Sequence, residues 1–185
     1  MISFTIKYIN FITYIYISNR TRENLKLSKL PSTQILQSYR NIKSNKKKGE
    51  KKWGMFLFDK VKNEIVGVCE VMTEEEDGIT FLLIVYVFID NEYRGNNQCY
   101  ELVKKTILKN EKKGGNLIKV VIAGGAPILK CLIKVFKDLK YKIKKYKSDN
   151  TENIKNFKKI TFEEAIKIEK KNYKSDTWQT LFFSS

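Results

Sequence analysis

Ile79-Thr80-Phe81-Leu82-Leu83-Ile84-Val85-Tyr86-Val87-Phe88-Ile89, followed by Asp90-Asn91-Glu92-Tyr93-Arg94-Gly95-Asn96-Asn97-Gln98-Cys99-Tyr100-Glu101-Leu102, is the stretch that decides the fold. An uninterrupted run rich in Val, Ile and Phe reads as a strand buried on both faces, the kind found inside a helix-covered sheet. It is the expected centre of the sheet. The polar segment after it holds one Gly and two Asn, residues that tolerate left-handed or tightly turned backbone, and a helical pattern begins at Tyr100. Strand, tight turn and helix start make an anion cradle. The first amides of a helix have no partners within it and the helix dipole favours negative charge, so a bound phosphate is expected at this turn.

Upstream, residues 53–59 and 64–73 read as two strands joined by Lys60-Val61-Lys62-Asn63 into a hairpin, and the acidic segment 74–78 turns the chain into the central strand. Three antiparallel strands therefore precede the cradle. Residues 33–42 read as a short helix with Leu36, Tyr39 and Arg40 inward, residues 43–52 as a solvated basic loop, and residues 2–9 alternate like an edge strand; residues 10–17 either continue it, the favoured reading, or turn into a first helix. Downstream, residues 100–113 carry Leu102, Val103, Thr106, Ile107 and Asn110 on one helical face, and Gly114-Gly115 stops that helix. Leu117–Ala123 is the next apolar strand and should run parallel to the central one. Gly124-Gly125-Ala126-Pro127 opens a further helix to Leu139, residues 141–146 form a strand, and residues 147–155 form a loop. Residues 161–171 form a helix with a Thr161–Glu164 capping box, and residues 176–183 form a last strand expected to pair with 141–146.

Residues 89–95, Ile-Asp-Asn-Glu-Tyr-Arg-Gly, resemble the entry to motif A of the GNAT superfamily of N-acetyltransferases, which reads Arg or Gln, two residues, Gly or Ala, one residue, Gly or Ala. Arg94 and Gly95 fit, as does Leu102, while Asn97 and Cys99 stand where the two small residues are expected. The resemblance implies an α/β fold: a mixed central sheet of roughly six to seven strands with helices on both faces, an antiparallel meander and then a β-α-β unit. One domain over residues 1–185, with its core at about 53–146, goes with it. It further implies an acyltransferase that moves acetyl from acetyl-CoA to a primary amine. Backbone amides of Arg94, Gly95, Asn96, Asn97, Gln98, Cys99 and Tyr100 would hold the cofactor's pyrophosphate, and Phe88 and Ile89 would pair through their backbone with its pantetheine arm. The family's usual acid, a Tyr in the helix after the fifth strand, corresponds to Phe136, which has no proton to donate.

Acetyl transfer needs a neutral amine and donors for the oxyanion. The candidate catalytic side chains are Glu70, a carboxylate in an otherwise apolar strand, and Tyr86 on the central strand, acting through water; Glu92 before the turn is a further carboxylate. Residues 32–74 also resemble the glucosamine-6-phosphate N-acetyltransferases, but Val85 and Tyr86 stand where that subfamily keeps an acidic pair. Polyamine, aminosugar and protein amine acceptors all remain open. The missing acid raises a second function: a degenerate GNAT fold that binds CoA, or a macromolecule such as nucleic acid or a ribosome, without turnover.

A net charge of +16, from 36 Lys plus Arg against 20 Asp plus Glu, points toward a polyanionic partner, yet the excess of Lys, Asn and Ile follows equally from AT-rich codons. With three Cys, no C-x-x-C spacing and no His, neither a metal site nor a His-dependent triad is expected, and a reducing cytoplasmic or nuclear compartment is. The apolar segment 8–17 is about ten residues long where a membrane span needs roughly 20, so no transmembrane segment or signal peptide is expected.

Overall fold

The computed structural model describes residues 12–18, 26, 29–30, 32–44, 51–76, 78–111, 117–123, 128–146, 158–172 and 178–185. The expected strand over 2–9 and the segments 45–50, 112–116, 124–127 and 147–157 lie outside the described residues. The elements run β1 (Ile12–Ser18), α1 (Thr33–Ser44), β2 (Lys51–Asp59), β3 (Glu64–Glu76), β4 (Ile79–Ile89), a 3-10 turn (Asn91–Tyr93), α2 (Gln98–Glu111), β5 (Leu117–Ala123), α3 (Ile128–Asp138), β6 (Lys142–Tyr146), β7 (Lys158–Lys159), α4 (Phe162–Asn172) and β8 (Trp178–Ser184). The strands form one mixed sheet in the order β1-β2-β3-β4-β5-β8-β6-β7. Since β7 is a two-residue bridge, seven full strands carry it. The chain divides into two compact units, Met1–Val71 with Tyr86–Thr106, and Met72–Val85 with Ile107–Ser185.

In the first unit β1 is the sheet edge and pairs antiparallel with β2 from Ile12↔Asp59 to Ser18↔Trp53. Ile35, Ser38, Tyr39 and Ile42, at helical spacing, are the buried face of α1. Ile35, Tyr39 and Ile42 join Ile17, Leu30, Phe56, Ile65 and Val68 in one core cluster, with Leu36 and Phe88 packed on it. Arg40, expected inward, is exposed, as guanidinium side chains usually are. At Gly54 a Cβ would sit 2.8 Å from Ile42 Cδ1 and 3.0 Å from Phe56 Cε2, so the glycine leaves room for those two side-chain ends. On β3 the alternation sends Glu70 to Ser38 and Asn41 of α1 while its neighbour Cys69 hydrogen-bonds Thr106 of α2. Helices thus cover both faces of this part of the sheet.

In the second unit β4 and β5 run parallel, with Leu82–Ile84 beside Ile118–Val120. β8 is antiparallel to both β5 (Ile118↔Phe183) and β6 (Ile143↔Phe183) and so separates them. The expected pairing of the last strand with β6 holds; its second pairing, with β5, was not anticipated. Phe136 of α3 is fully buried and stacks on Phe183 at 3.7 Å between ring centroids. Thr161 N donates to Glu164 Oε2 at 2.7 Å and Glu164 N to Thr161 Oγ1 at 3.1 Å, closing the expected capping box of α4.

Candidate functional site

β4 is half of what its sequence suggests. Phe81, Leu82 and Ile84 are buried, but Val85 is 45% and Tyr86 39% exposed, which corrects the expectation of burial on both faces. The parallel ladder to β5 ends at Ile84, and β4 runs on to Ile89. After Ile89 the chain makes its 3-10 turn: Tyr93 N donates to Asp90 O at 2.9 Å and Arg94 N to Asn91 O at 3.2 Å. The Arg94 side chain folds back on the strand. Its Nε donates to Ile89 O at 2.8 Å, and its guanidinium lies 5.8 Å from the Phe88 ring, on which Tyr86 also stacks.

The turn then uses two left-handed residues, Gly95 at φ +88° and Asn97 at φ +62°. A Cβ on Gly95 would meet nothing within 4 Å, so backbone conformation and not space calls for glycine there. Asn97 does what a second glycine would do, the short amide being among the side chains best tolerated in that region. The ladder of α2 opens with Glu101 N donating to Asn97 O at 3.0 Å, so the N–H groups of Gln98, Cys99 and Tyr100 precede it. The helix therefore starts at Gln98, two residues before the expected Tyr100, because the left-handed Asn97 delivers the chain directly into helical geometry. Gly95, Asn96 and Asn97 are exposed, Gln98 and Cys99 half-buried, and Tyr100 buried with its hydroxyl accepting from Lys104 Nζ at 3.0 Å.

The two edges of β4 are not equivalent. Asp90 N donates to Val66 O on β3 at 2.9 Å, and the carbonyl of Phe88 lies against Gly67 of the same strand. In an antiparallel pair the backbone groups of alternate residues point to the same neighbour, so Phe88 and Asp90 face β3 while Val87 and Ile89 face the other edge.

Tyr86 and Glu70 differ in accessibility. Partial burial raises the Tyr86 phenol above its ordinary pKa, with Arg94 opposing, so it stays protonated at neutral pH. Glu70 is 2% exposed. Burial raises its pKa, against the lowering influence of Ser38, Lys52 and Asn41. A carboxyl so enclosed links β3 to Ser38 and Asn41 of α1. Because its folded-state pKa is raised, the folded protein holds a proton that the unfolded chain has released, and the stability this gives at low pH is lost as pH rises through the folded value. Glu70→Gln is therefore expected to flatten the fall in melting temperature between the ordinary glutamate range and neutral pH. Identical melting profiles for wild type and variant would contradict it.

No family model matches the sequence, and a search of curated proteins finds no match. Solved structures do match. A chain of the NatC complex bound to Gag peptide and CoA superposes with a TM-score of 0.53 at 11% identity, covering 94% of this chain and 98% of that one. A Klebsiella pneumoniae protein described as an acyl-CoA N-acyltransferase superposes with a TM-score of 0.51 at 10% identity, covering 92% and 95%. The fold is the GNAT acetyltransferase fold. At this identity the likeness speaks for the fold alone, and the GNAT order of meander, β-α-β unit and terminal strands covers nearly all of the chain.

Within this GNAT fold every anticipated site residue, Glu70, Tyr86, Phe88, Ile89 and residues 94–100, belongs to the first unit. Phe136, which the resemblance sets against the family's usual acid, belongs to the second and is 0% exposed. Nearby in sequence, Tyr141 has its hydroxyl engaged in a 2.7 Å hydrogen bond to Glu111, and burial and that bond raise its pKa. Two residues beside the turn were missed, Asp59 and Tyr93, whose side chains meet across the hairpin. Asp59 at a strand end before a turn is an ordinary Asx-turn signal, but nothing local in sequence links it to Tyr93. Among the described residues no helix is long and apolar enough to cross a membrane.

Proposed function

We propose that the protein is an acetyl-CoA-dependent N-acetyltransferase acting on a primary amine. The observation that carries this is the turn over residues 94–100: two left-handed residues leading straight into the N-terminus of a 14-residue helix, at the end of the strand where GNAT folds bind their cofactor. Amides so directed, with the helix dipole behind them, suit a pyrophosphate. The CoA and acyl-CoA named for the two matched structures support the same cofactor class here.

In this reading Gly95, Asn96, Asn97, Gln98, Cys99 and Tyr100 hold the phosphates, and the outward backbone groups of Val87 and the N–H of Ile89, whose carbonyl is held by Arg94, take the pantetheine arm. Acetyl-CoA, when bound, supplies an activated thioester. Tyr86, exposed on β4 and protonated at neutral pH, is assigned the donor role toward the oxyanion or departing thiolate. Glu70 is assigned a positioning role for α1, and the amine reaches its neutral form through solvent. A thiol with an ordinary pKa of about 8.5 leaves tolerably without a strong acid, so the apolar Phe136 is compatible with turnover.

The test is calorimetric titration with acetyl-CoA and CoA, followed by thiol release over a panel of aminosugars, polyamines and peptides with free N-termini. Binding of acetyl-CoA with thiol release for one amine class is the expected result. Binding with no release across the panel would favour the degenerate, binding-only GNAT alternative, and no binding of either nucleotide would overturn the assignment.

A further inference from the structure

Asp59 closes β2 and is 4% exposed. Oδ1 accepts the amides of Val61 at 2.7 Å and Lys62 at 3.1 Å, which shapes the β2–β3 hairpin, and Oδ2 accepts the Tyr93 hydroxyl. Tyr93 is 7% exposed, with Lys62 Nζ 5.4 Å from its ring, and the same Nζ donates to Glu92 at 2.6 Å. Burial works against ionising Asp59, but the bonds from Tyr93, Lys62 and Val61 prevail and hold its pKa below the usual range, while burial and Asp59 push Tyr93 up to about 12. The pair is thus a carboxylate and a phenol across the neutral range, a charge-assisted hydrogen bond inside the protein.

Tyr93 is the last residue of the 3-10 turn and the immediate neighbour of Arg94. Asp90 N to Val66 O ties the first residue of that turn to β3, while the bonds from Tyr93 N and Arg94 N are internal to residues 90–94 and leave its far end to be held by side chains. The Tyr93 phenol fixes that far end, next to Arg94, by a bond to a residue 34 positions earlier, and the Arg94 bond to Ile89 O is local by comparison. Donors aimed at a phosphate work only if held to about half an ångström, and a turn ordered in advance loses less entropy when its ligand binds.

We propose that Asp59 and Tyr93 are positioning residues that hold residues 94–100 ready for the cofactor's phosphates. The inference rests on the acetyl-CoA assignment of that turn and extends its machinery to the β2–β3 hairpin, which touches no expected part of the ligand. Lys62 and Glu92 are expected to add little, since both side chains are largely in solvent and exposed ion pairs contribute weakly.

The experiment compares wild type with Tyr93→Phe, Asp59→Asn, the double variant and Glu92→Gln, reading amide hydrogen exchange over residues 94–100 without ligand, CoA affinity by calorimetry, and melting temperature. Tyr93→Phe is expected to speed exchange across 94–100 and weaken CoA binding about tenfold, the loss of one hydrogen bond to a buried charge. Asp59→Asn should add little on top of it, because both remove the same contact, and Glu92→Gln should stay within about twofold of wild type. A Tyr93→Phe variant that melts earlier but keeps wild-type exchange over 94–100 and wild-type CoA affinity would overturn the inference, leaving the pair a hairpin brace. Should wild type bind no CoA, the cofactor assignment falls, and exchange alone decides whether Tyr93 holds the turn. If Asp59→Asn does not fold, the isosteric Tyr93→Phe carries the decision.

Discussion

Replacing Phe136 with Ala is expected to destabilise the protein by about 3–5 kcal/mol, and replacing it with Tyr by about 1–3 kcal/mol with no gain in turnover. The ring is fully buried, stacked 3.7 Å from Phe183 and tilted against Tyr141 at 5.4 Å between centroids. Alanine there leaves a cavity lined by two aromatic rings. Tyrosine keeps the ring but buries a hydroxyl, and the hydroxyl of the adjoining Tyr141 is already engaged with Glu111. Chemical denaturation of the two variants checks the stabilities, and thiol release checks the rate. A Tyr variant with wild-type stability and faster turnover would mean that the helix position serves as the acid site after all, and that Tyr86 does not.

The second large effect is expected at Gly95. Gly95→Glu should weaken CoA binding at least tenfold, about 1.4 kcal/mol, in a protein that still folds. Two causes act together. The left-handed backbone at φ +88° disfavours any side chain, and a carboxylate introduced at the turn opposes a phosphate electrostatically. They separate on substitution by Asn, which tolerates the backbone and adds no charge: Gly95→Asn should lose far less affinity than Gly95→Glu. Equal affinities for wild type and Gly95→Glu, measured by calorimetry on folded protein, would move the phosphate site away from residues 94–100.

The apolar run of β4 has the limits its composition announces, Ile79 to Ile89, and the face of α2 is the expected one, with Leu102, Val103, Thr106, Ile107 and Asn110 all buried. Both follow from local periodicity, which sequence displays directly. The exposure of Val85 and Tyr86 could not be seen that way, since it depends on where the ladder to β5 stops, a property of two strands and not of one. Glu70 shows the same limit. A carboxylate among valines announces a special environment, but whether that is a substrate cleft or the underside of α1 depends on Ser38 and Asn41, some thirty residues earlier. The Asp59–Tyr93 bond spans a similar distance. What was legible at the turn was its backbone chemistry, Gly95 and Asn97 both being left-handed. The bracing around it belongs to contacts that only the folded chain brings together.

β8 has a bearing on how the chain reaches its native state. It supplies the partner for the full length of β5 on one side and of β6 on the other, and β5 precedes it by more than fifty residues in sequence. During synthesis the outward edge of β5 must stay open until Trp178–Ser184 has emerged, and an open edge of apolar sequence is where strands of neighbouring chains add. The late, long-range closure also makes this half of the sheet the slow-forming part, because the loop entropy of the intervening helices is lost before the pairing is gained. Vulnerability to aggregation should therefore concentrate in nascent and truncated chains, at Leu117–Ala123, although in the finished molecule that strand lies inside the sheet.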